Sequence, residues 1–374
     1  MVERLGIIGG GQLGRFLTLA AGELGVETIV VDPTPDCPAS AVGARQIVAD
    51  YDDPEAVRHL TRLVPVVTFE IERGPLDVLR TAPCRVVPAV ETLALLKDKL
   101  RQRTTLAAAG LANPTFAAVH TLEEALAFGE TVGYPLVIKR PQGGYDGRGI
   151  AFLESPAALI AWWRARPAGW TPPLLAEEQV DLARELAVMV VRAADGTCAC
   201  YPVVETVQRE GLCRRVIAPA PVSPAVAERA QALALGAITA LNGVGVFGVE
   251  LFLSRDGRVL LNEIAPRVHN SGHYTLDACA ASQFQQQVRV ALGRPILPTT
   301  MTVPVAVMVN LIATRSGPFA LEGVERATAL GARVYLYGKR QMWPGRKMGH
   351  VNLVGDDLAE VLARAEAVEA LLAL

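Results

Sequence analysis

Two glutamates, Glu250 and Glu263, stand in apolar runs on either side of the pair Asp256-Gly257. Asp-Gly between such runs predicts a β-hairpin, because a two-residue turn needs positive φ at both positions. This turn would place Glu250 directly opposite Glu263, on one side of the sheet. Like charges at that spacing destabilise a ladder, whereas paired carboxylates suit a hard cation such as Mg²⁺. The alternatives are a register slipped by one residue or two solvated glutamates.

A lysine followed by a glycine-rich segment is the second feature that predicts chemistry. Lys139 ends an apolar run that predicts a strand, and residues 143–149 include four glycines. Backbone N–H groups of such a segment can surround a polyphosphate. No Gly-Lys-Ser/Thr ends the segment, so it is not a Walker A loop. A solvated lysine beside a structural glycine hairpin is the alternative.

A glycine fingerprint near the N-terminus indicates a different ligand. Gly9, Gly11 and Gly14 follow a predicted strand, and Asp32 ends the next one. This spacing is typical of dinucleotide-binding folds. Nothing downstream predicts a pocket for hydride transfer, however, so an NAD-dependent enzyme is the less favoured interpretation. The loop either holds a substrate phosphate at a helix N-terminus or makes only a tight turn.

Two later segments carry groups that can bind ligands. Glu177 to Val180 follow an apolar run and can act as a hinge that offers backbone groups to a purine and a carboxylate to a ribose. Residues 264–273, directly after Glu263, are dense in hydrogen-bond donors. His269 and His273 lie four apart in this run, but no HExxH motif makes them a zinc site. Residues 337–350 form a basic stretch, which can clamp a phosphate.

The elements that must position these groups follow an α/β pattern, in part α+β. Residues 5–8, 28–32 and 65–70 predict parallel strands alternating with helices. One helix is predicted over 93–109 and another over 357–372. Strands at 136–139, 150–153 and 186–191 precede the hairpin, and prolines 295, 298 and 304 mark the start of a small C-terminal unit.

Length and composition exclude several classes. The chain has 374 residues, 36 basic and 38 acidic, so no polybasic surface for nucleic acid or membrane is expected. No apolar run is long enough for a membrane span. The N-terminus shows no signal-peptide pattern, and the six cysteines form no CxxC pair. We expect a cytoplasmic protein with small-molecule partners.

The order of these features resembles the ATP-grasp superfamily. Within it, residues 143–149 (Gly-Gly-Tyr-Asp-Gly-Arg-Gly) and 262–273 (Asn-Glu-Ile-Ala-Pro-Arg-Val-His-Asn-Ser-Gly-His) are similar to the N5-carboxyaminoimidazole ribonucleotide synthase family. The opening Gly-Gly-Gly-Gln-Leu-Gly, the strand end at 68–72 and residues 344–350 also fit this family. The resemblance covers essentially the whole chain. It implies an ATP-grasp fold with a Rossmann-like pre-ATP-grasp domain at 1–96, an ATP-grasp domain at 97–297 and a small β-rich C-terminal domain at 298–374.

The resemblance also implies a reaction and its residues. ATP, bicarbonate and 5-aminoimidazole ribonucleotide would give N5-carboxyaminoimidazole ribonucleotide, ADP and phosphate, by way of carboxyphosphate. The implied ATP ligands are Lys99, Lys139, Gly144, Tyr145, Asp146, Gly147, Arg148, Gly149, Glu177, Glu178, Gln179, Val180, Glu185, Asn262 and Glu263. The implied ribonucleotide ligands are Gln12, Glu70, Tyr145, Asp146, Arg148, Arg267, His269, Asn270, Ser271, Lys339 and Arg346. Of these, Asp146, Arg148, Arg267, His269 and Lys339 are the candidate catalytic residues, and Mg²⁺ or Mn²⁺ would lie on Glu250 and Glu263.

One departure concerns Gln208, where relatives often carry histidine. An amide can hydrogen-bond a phosphate but carries no positive charge, so Gln208 is the weakest of the implied ATP ligands. A homodimer is also implied. Three alternatives are another ATP-grasp ligase, such as glycinamide ribonucleotide transformylase or biotin carboxylase, a non-catalytic nucleotide-binding protein, and the NAD-dependent enzyme. The loop 269–273 argues against the first, and the joint presence of Lys139, Glu250 and Glu263 argues against the second.

Overall fold

The N-terminal unit is a parallel sheet with helices on both faces. The computed structural model describes residues 3–143 and 149–374. The elements of this unit are β1 (Arg4–Ile8), α1 (Gln12–Glu23), β2 (Glu27–Asp32), β3 (Arg45–Val48), α2 (Pro54–Leu63), β4 (Val66–Phe69), α3 (Leu76–Arg80), β5 (Arg85–Val86) and α4 (Val90–Leu96). The strand order is β3-β2-β1-β4-β5 and every pair is parallel. Strands covered on both faces of a sheet need continuous apolar runs. The parallel strands and the helices between them confirm the predicted βαβ pattern.

The single helix predicted over 93–109 is wrong. The structure has two helices, α4 and α5 (Lys99–Ala108), separated at Lys97 and Asp98. The Asp98 carboxylate accepts hydrogen bonds from the backbone N–H of Leu100 (3.1 Å) and Arg101 (3.0 Å). This side chain competes with the helical ladder and starts a new helix. The break sets the direction of α5, which carries three of the residues that line the cleft described below.

A four-stranded antiparallel sheet follows α5. Its unit contains β6 (Phe116–Val119), α6 (Leu122–Val132), β7 (Leu136–Lys139), β8 (Ile150–Leu153), α7 (Pro156–Ala165) and β9 (Leu174–Glu178). The strand order is β6-β9-β7-β8. One face packs Ile138 and Leu174 against Leu159 and Trp163 of α7. The other face carries Lys139 and Glu177 towards the rest of the molecule.

A nine-stranded sheet forms the largest layer. Its region contains β10 (Leu182–Arg192), β11 (Cys198–Cys200), β12 (Val204–Arg209), β13 (Leu212–Ala218), α8 (Pro224–Ala240), β14 (Gly245–Ser254), β15 (Val259–Ala265), α9 (Thr275–Ala278), α10 (Gln283–Ala291), β16 (Val305–Ile312), β17 (Gly317–Pro318), α11 (Val324–Ala329), β18 (Arg333–Leu336), β19 (Gln341–Met342), β20 (Lys347–Gly355) and α12 (Leu358–Leu371). The order is β15-β14-β10-β12-β13-β16-β20-β18, with β11 on β10, while β17 and β19 pair separately. No helix within the described ranges has the length and apolar content of a membrane span.

The pairing of β13 with β16 joins the C-terminal strands to the same sheet as the hairpin. The three domain ranges given above therefore stay a prediction, because this sheet crosses the boundary at 297–298. The hydrophobic core of the C-terminal strands lies under α12, where Val361, Ala365 and Val368 cover the sheet.

The hairpin confirms the facing glutamates but not the turn that predicted them. Glu250 pairs with Glu263. The loop, however, has three residues closed by Ser254 and Arg258, and only Gly257, at φ +86°, has positive φ within Asp256-Gly257. A bulge at Asn262 then shifts the register back by one residue. The three-residue loop and the bulge shift the register by one residue in opposite directions, so Glu250 still faces Glu263. The bulge also turns Asn262 to the same side as Glu263.

The capping role of Asp98 gives a testable stability prediction. Asp98→Ala should lower the free energy of unfolding by about 1 kcal/mol, because two helix N–H groups lose their acceptor. Asp98→Asn keeps an acceptor oxygen and should stay close to wild type. Urea denaturation of the three proteins measures the difference, and equal midpoints for wild type and Asp98→Ala would contradict the assigned cap.

Candidate active site

A small cleft lies between the four-stranded sheet, α5 and the edge strand β15. It encloses about 60 Å³. Its lining residues are Lys99, Gln102, Arg103, Lys139, Ile150, Leu175, Asn262 and Glu263. Four of these, Lys99, Lys139 and the adjacent pair Asn262 and Glu263, come from three separate segments and were expected from the sequence to bind one ligand. The structure brings them together.

Three carboxylates share one face of the nine-stranded sheet beside this cleft. Ala187 pairs with Glu250, which places Glu185, two residues earlier on β10, on the same face as Glu250 and Glu263. Burial, reinforced by the charges of Glu263 and Glu185, raises the pKa of Glu250 to about 7. Burial also raises the pKa of Glu185. Such a cluster is electrostatically unfavourable unless a cation joins it.

The neighbours of these carboxylates fit a divalent cation that is completed by a ligand. The Lys99 ammonium lies 2.6 Å from Glu263 and supplies one positive charge. The Asn262 amide donates to Glu250 at 3.4 Å. Within residues 3–143 and 149–374, no three side chains form an all-protein metal site. Mg²⁺ typically takes one or two carboxylates and completes its shell with water and phosphate oxygens, so Glu250 and Glu263 fit that ion.

Lys139 is held in the cleft by a buried carboxylate. Its ammonium and the Arg103 guanidinium contact opposite oxygens of Glu177, and the side chains of Arg103 and Glu177 are each only 2% exposed. Burial alone would raise the pKa of Glu177, but the charges of Lys139 and Arg103 outweigh burial and lower it to about 2. Burial and the Arg103 charge lower the pKa of Lys139, while Glu177 opposes that shift.

These contacts correct the expected role of the hinge carboxylates. Glu177 points to Lys139 and Arg103, so its carboxylate is not free to reach a ribose. Glu178 accepts from the backbone N–H of Thr115 (2.9 Å) and from Arg258 (3.0 Å) and fixes the hairpin turn. The backbone of Gln179 and Val180 continues from this strand end, and Val180 is buried. On β12, Gln208 lies next to Glu185, where its amide opposes the rise in the pKa of that carboxyl.

The N-terminal glycine loop is already occupied by side chains of the protein. Glu70 accepts from the backbone N–H of Gly11 (2.9 Å) and Gly14 (2.6 Å). Asp32 accepts from Gly10 at 2.9 Å. Engagement of these amides favours the second alternative given above, a tight turn closed by carboxylates, over a substrate phosphate. Asp32, engaged here, is also not placed to bind the ribose of a dinucleotide. Gln12 begins α1 at the same point.

The loop after β15 reaches the acidic cluster. The His269 ring lies 3.5 Å from Glu250 and its Nδ1 lies 2.9 Å from the Ser271 hydroxyl. Burial lowers the pKa of His269, so the ring is neutral at pH 7. Gly248, two residues before Glu250, makes this approach possible, because a Cβ there would come within 2.5 Å of the His269 Cβ.

Arg267 and Asn270 have partners that the sequence did not indicate. Arg267 contacts Glu72 at 3.1 Å, and its buried Nε has no partner among the described residues. The Asn270 amide forms a reciprocal pair with the buried Asn310 of β16, at 2.9 and 2.7 Å. Arg267 thus keeps a donor available for a ligand, whereas the Asn270 side chain is occupied.

A basic group lies on the C-terminal side of the same loop. Burial and the charge of Arg346 lower the pKa of Lys339 to about 8, and Glu70 opposes this shift. Lys339 also donates to the Lys347 carbonyl at 2.8 Å. The charge of Lys347 acts on both Lys339 and Glu250, so Lys347 adds to the positive charge near the carboxylates. Phosphate is the ligand that this charge pattern favours.

Several expected residues and several missed ones complete the site. Gly144, Tyr145, Asp146, Gly147 and Arg148 lie outside the described residues, while Gly149 adopts φ +80° next to β8. Sequence analysis missed Arg103, Asn310 and Glu72, whereas Lys347 lies in the basic stretch that it predicted. The spacing of Lys99 and Arg103, four residues apart on a helix, would have placed both on one face. Asn310 lies on a strand 40 residues after Asn270, and no local pattern links the two.

The chain is similar to known protein families over most of its length. Three family models match: the ribonucleotide synthetase preATP-grasp domain over residues 2–97, the ATP-grasp domain over 104–284 and the phosphoribosylaminoimidazole carboxylase C-terminal domain over 306–364. The N5-carboxyaminoimidazole ribonucleotide synthase of Mycobacterium tuberculosis is 41% identical, with 96% of this chain and 85% of that protein covered.

Two solved structures extend the comparison. The N5-carboxyaminoimidazole ribonucleotide synthetase of Thermotoga maritima superposes with a TM-score of 0.90 at 37% identity, covering 100% of this chain and 99% of that one. The N5-carboxyaminoimidazole synthase of Aspergillus clavatus, solved in complex with ADP and 5-aminoimidazole ribonucleotide, gives 0.89 at 33% identity, covering 99% and 98%.

The buried carboxylate makes a prediction about stability and pH. Glu177→Gln should lower the free energy of unfolding by about 3–5 kcal/mol at pH 7, because it leaves Lys139 and Arg103 buried without a counter-charge. The pKa of Glu177 is lowered from 4.5 to about 2, so its contribution is complete above pH 4.5 and is lost as the pH falls towards 2.

Urea denaturation from pH 8 to pH 3.5 tests this. The difference between wild type and Glu177→Gln should stay constant above about pH 5.5, about one pH unit above the ordinary carboxyl pKa, and shrink below it. Glu228→Gln, at an exposed helical position, is the matched control and should leave stability unchanged. A difference that does not depend on pH would contradict the ion-pair assignment.

Proposed function

The chain belongs to the N5-carboxyaminoimidazole ribonucleotide synthase family of ATP-grasp ligases, and we propose that it catalyses the ATP-dependent carboxylation of 5-aminoimidazole ribonucleotide. ATP is the co-substrate, bicarbonate supplies the carboxyl group, and the products are N5-carboxyaminoimidazole ribonucleotide, ADP and phosphate. The reaction is a step of purine biosynthesis.

One contact carries the proposal for the site. His269 of the predicted ribonucleotide loop lies 3.5 Å from Glu250, one of the two candidate cation ligands. The loop therefore adjoins the proposed nucleotide cleft at Glu250, which pairs with the cleft residue Glu263. A phosphate activated on the cleft side would be next to an amine held on the loop side, which is the proximity that a two-step ligase requires.

On the nucleotide side, Lys99 and Lys139 would neutralise the polyphosphate of ATP, with the backbone of Gln179 and Val180 at the purine. Mg²⁺ or Mn²⁺, held by Glu250 and Glu263 beside Asn262, would supply further charge neutralisation. A bicarbonate oxygen attacks the γ-phosphorus, the bond to the β-phosphate oxygen breaks, and ADP leaves. Positioning and charge are the main requirements of phosphoryl transfer.

On the ribonucleotide side, Lys339 and Arg346 would hold the substrate phosphate. Arg267 and the neutral His269 would orient the ring and the carboxyl donor. The exocyclic amine attacks the carboxyl carbon of carboxyphosphate, phosphate leaves, and the released phosphate accepts the amine proton. Contacts proposed for Tyr145, Asp146 and Arg148 rest on the family resemblance alone, since these residues lie outside the described ranges.

Two further parts of the proposal concern the state of the protein. The family resemblance favours a homodimer, and the six free cysteines suit the reducing cytoplasm, where free thiols persist.

Phosphate release tests the proposed reaction directly. With ATP, Mg²⁺ and bicarbonate present, addition of 5-aminoimidazole ribonucleotide should raise the rate of phosphate release at least tenfold, because the acceptor completes the reaction. Isotopic label from ¹³C-bicarbonate should appear in the product by NMR. Equal phosphate release with glycinamide ribonucleotide, or none with either acceptor, would reject the assignment.

The candidate cation site makes a separate prediction. Glu263→Gln should keep the far-UV circular dichroism spectrum of wild type and lose at least 100-fold in kcat, because one of the two carboxylates no longer carries charge. Its Mg²⁺ requirement, measured by titration of activity and of nucleotide affinity, should rise. Glu228→Gln is the control for a surface carboxylate. Near-wild-type kcat at about 1 mM Mg²⁺ would remove Glu263 from the site.

A further inference from the structure

We propose that Arg103 is a positioning residue for phosphoryl transfer, which fixes Lys139 and the Asn262-Glu263 bulge relative to each other. The inference rests on the proposed function for its role in the reaction, but its predicted effect on nucleotide binding can be measured without that reaction. Neither the sequence analysis nor the family resemblance assigned Arg103 to the site.

The contacts of Arg103 reach both walls of the cleft. From helix α5, its Nε donates to Glu177 of the four-stranded sheet. Its Nη1 donates to the Leu261 carbonyl of β15 at 2.7 Å and to the Asn113 side chain at 3.2 Å. The guanidinium is planar and rigid, so these directions are fixed together. Arg103 therefore connects the two sheets at the cleft, in addition to the contact between Glu178 and Arg258 at the hairpin turn.

The contact with Leu261 acts on the bulge. Leu261 immediately precedes Asn262, and β15 is the edge strand of its sheet. The Leu261 N–H donates to the Ala112 carbonyl at 2.9 Å, and its carbonyl accepts from Arg103. Both backbone groups on the open edge are thus held by the segment that contains α5. A bulge turns the side chains around it, so fixing its edge fixes the direction of Asn262 and Glu263.

The contact with Glu177 acts on Lys139. One carboxylate serves two cations, Arg103 and Lys139, so the buried group carries an excess positive charge. A nucleotide polyphosphate next to Lys139 would balance that excess. Arg103 thereby orients the carboxylate that holds Lys139 and also strengthens the attraction of the cleft for phosphate. Lys99, one turn earlier on α5, contacts Glu263 at 2.6 Å, so the same helix face carries both connections.

A purely structural arginine would affect stability and leave ligand affinities equal to those of wild type. A positioning residue would selectively weaken the nucleotide side. The test therefore compares the dissociation constant of Mg²⁺ with a non-hydrolysable ATP analogue, measured by titration calorimetry, with the KM for 5-aminoimidazole ribonucleotide. Melting temperature is recorded for each variant.

Two substitutions separate charge from geometry. Arg103→Lys keeps the charge but cannot reach Glu177 and Leu261 together, while Arg103→Met removes the charge at similar volume. Arg101→Lys, on the same helix with an exposed side chain, is the matched control. A further variant combines Arg103→Met with Glu177→Gln, because the two residues should act through the same contact.

The expected result is a loss of nucleotide affinity of at least fivefold for Arg103→Lys and at least tenfold for Arg103→Met. The KM for 5-aminoimidazole ribonucleotide should stay within twofold, and Arg101→Lys should match wild type. The dissociation constant of the double variant for nucleotide should be no more than twofold above that of Glu177→Gln.

Three outcomes would overturn the proposal: wild-type nucleotide affinity in both Arg103 variants, equal losses for nucleotide and ribonucleotide, or failure of both variants to fold. The last two would show that Arg103 supports the domain as a whole. If wild type binds nucleotide but shows no ribonucleotide-dependent phosphate release, the proposed function fails while the affinity measurements still decide the role of Arg103.

Discussion

The carboxylate of Glu177, buried between two cations, is the interaction on which the cleft depends. Its partners, Lys139 and Arg103, come from a strand and a helix on different sides of the cleft. Leaving one such charge without a partner would cost several kcal/mol, which is a large part of the net stability of a domain. The ion pair therefore holds the four-stranded sheet and α5 together, and the space that remains between them and β15 is the cleft that we propose binds nucleotide.

The opposite wall of the cleft carries the opposite charge. Glu185, Glu250 and Glu263 share one sheet face, and burial together with mutual repulsion keeps the pKa of Glu250 near 7. Lys99 only partly balances this cluster through its contact with Glu263. A cleft with excess positive charge on one wall and excess negative charge on the other suits a ligand that carries both negative and positive charges. A triphosphate with a divalent cation is such a ligand.

The sequence predicted secondary-structure elements and candidate site residues more reliably than the tertiary contacts that these residues make. The βαβ unit and the facing of Glu250 and Glu263 follow from local patterns. The turn and the bulge, which are both one-residue register shifts, cannot be read from alternation, and here they cancelled. The glycine fingerprint was misleading because Glu70, 56 residues after Gly14, occupies its amides. The pairing of Asn270 with Asn310 and of Glu177 with Arg103 depends on tertiary packing, which no local pattern contains.

Because side chains occupy the N-terminal glycine loop, the parallel sheet does not offer the amides of this loop to a phosphate. The doubly covered parallel sheet offers a helix N-terminus that commonly binds phosphate, yet Glu70 and Asp32 neutralise its donors. This supports the proposal that nucleotide binds instead in the cleft between the four-stranded sheet, α5 and β15. Glu70 also faces the charge of Lys339, so the same carboxylate that closes the loop borders the basic group. The fingerprint here forms a turn closed by two carboxylates, and one of them, Glu70, lies beside the basic group of the proposed site.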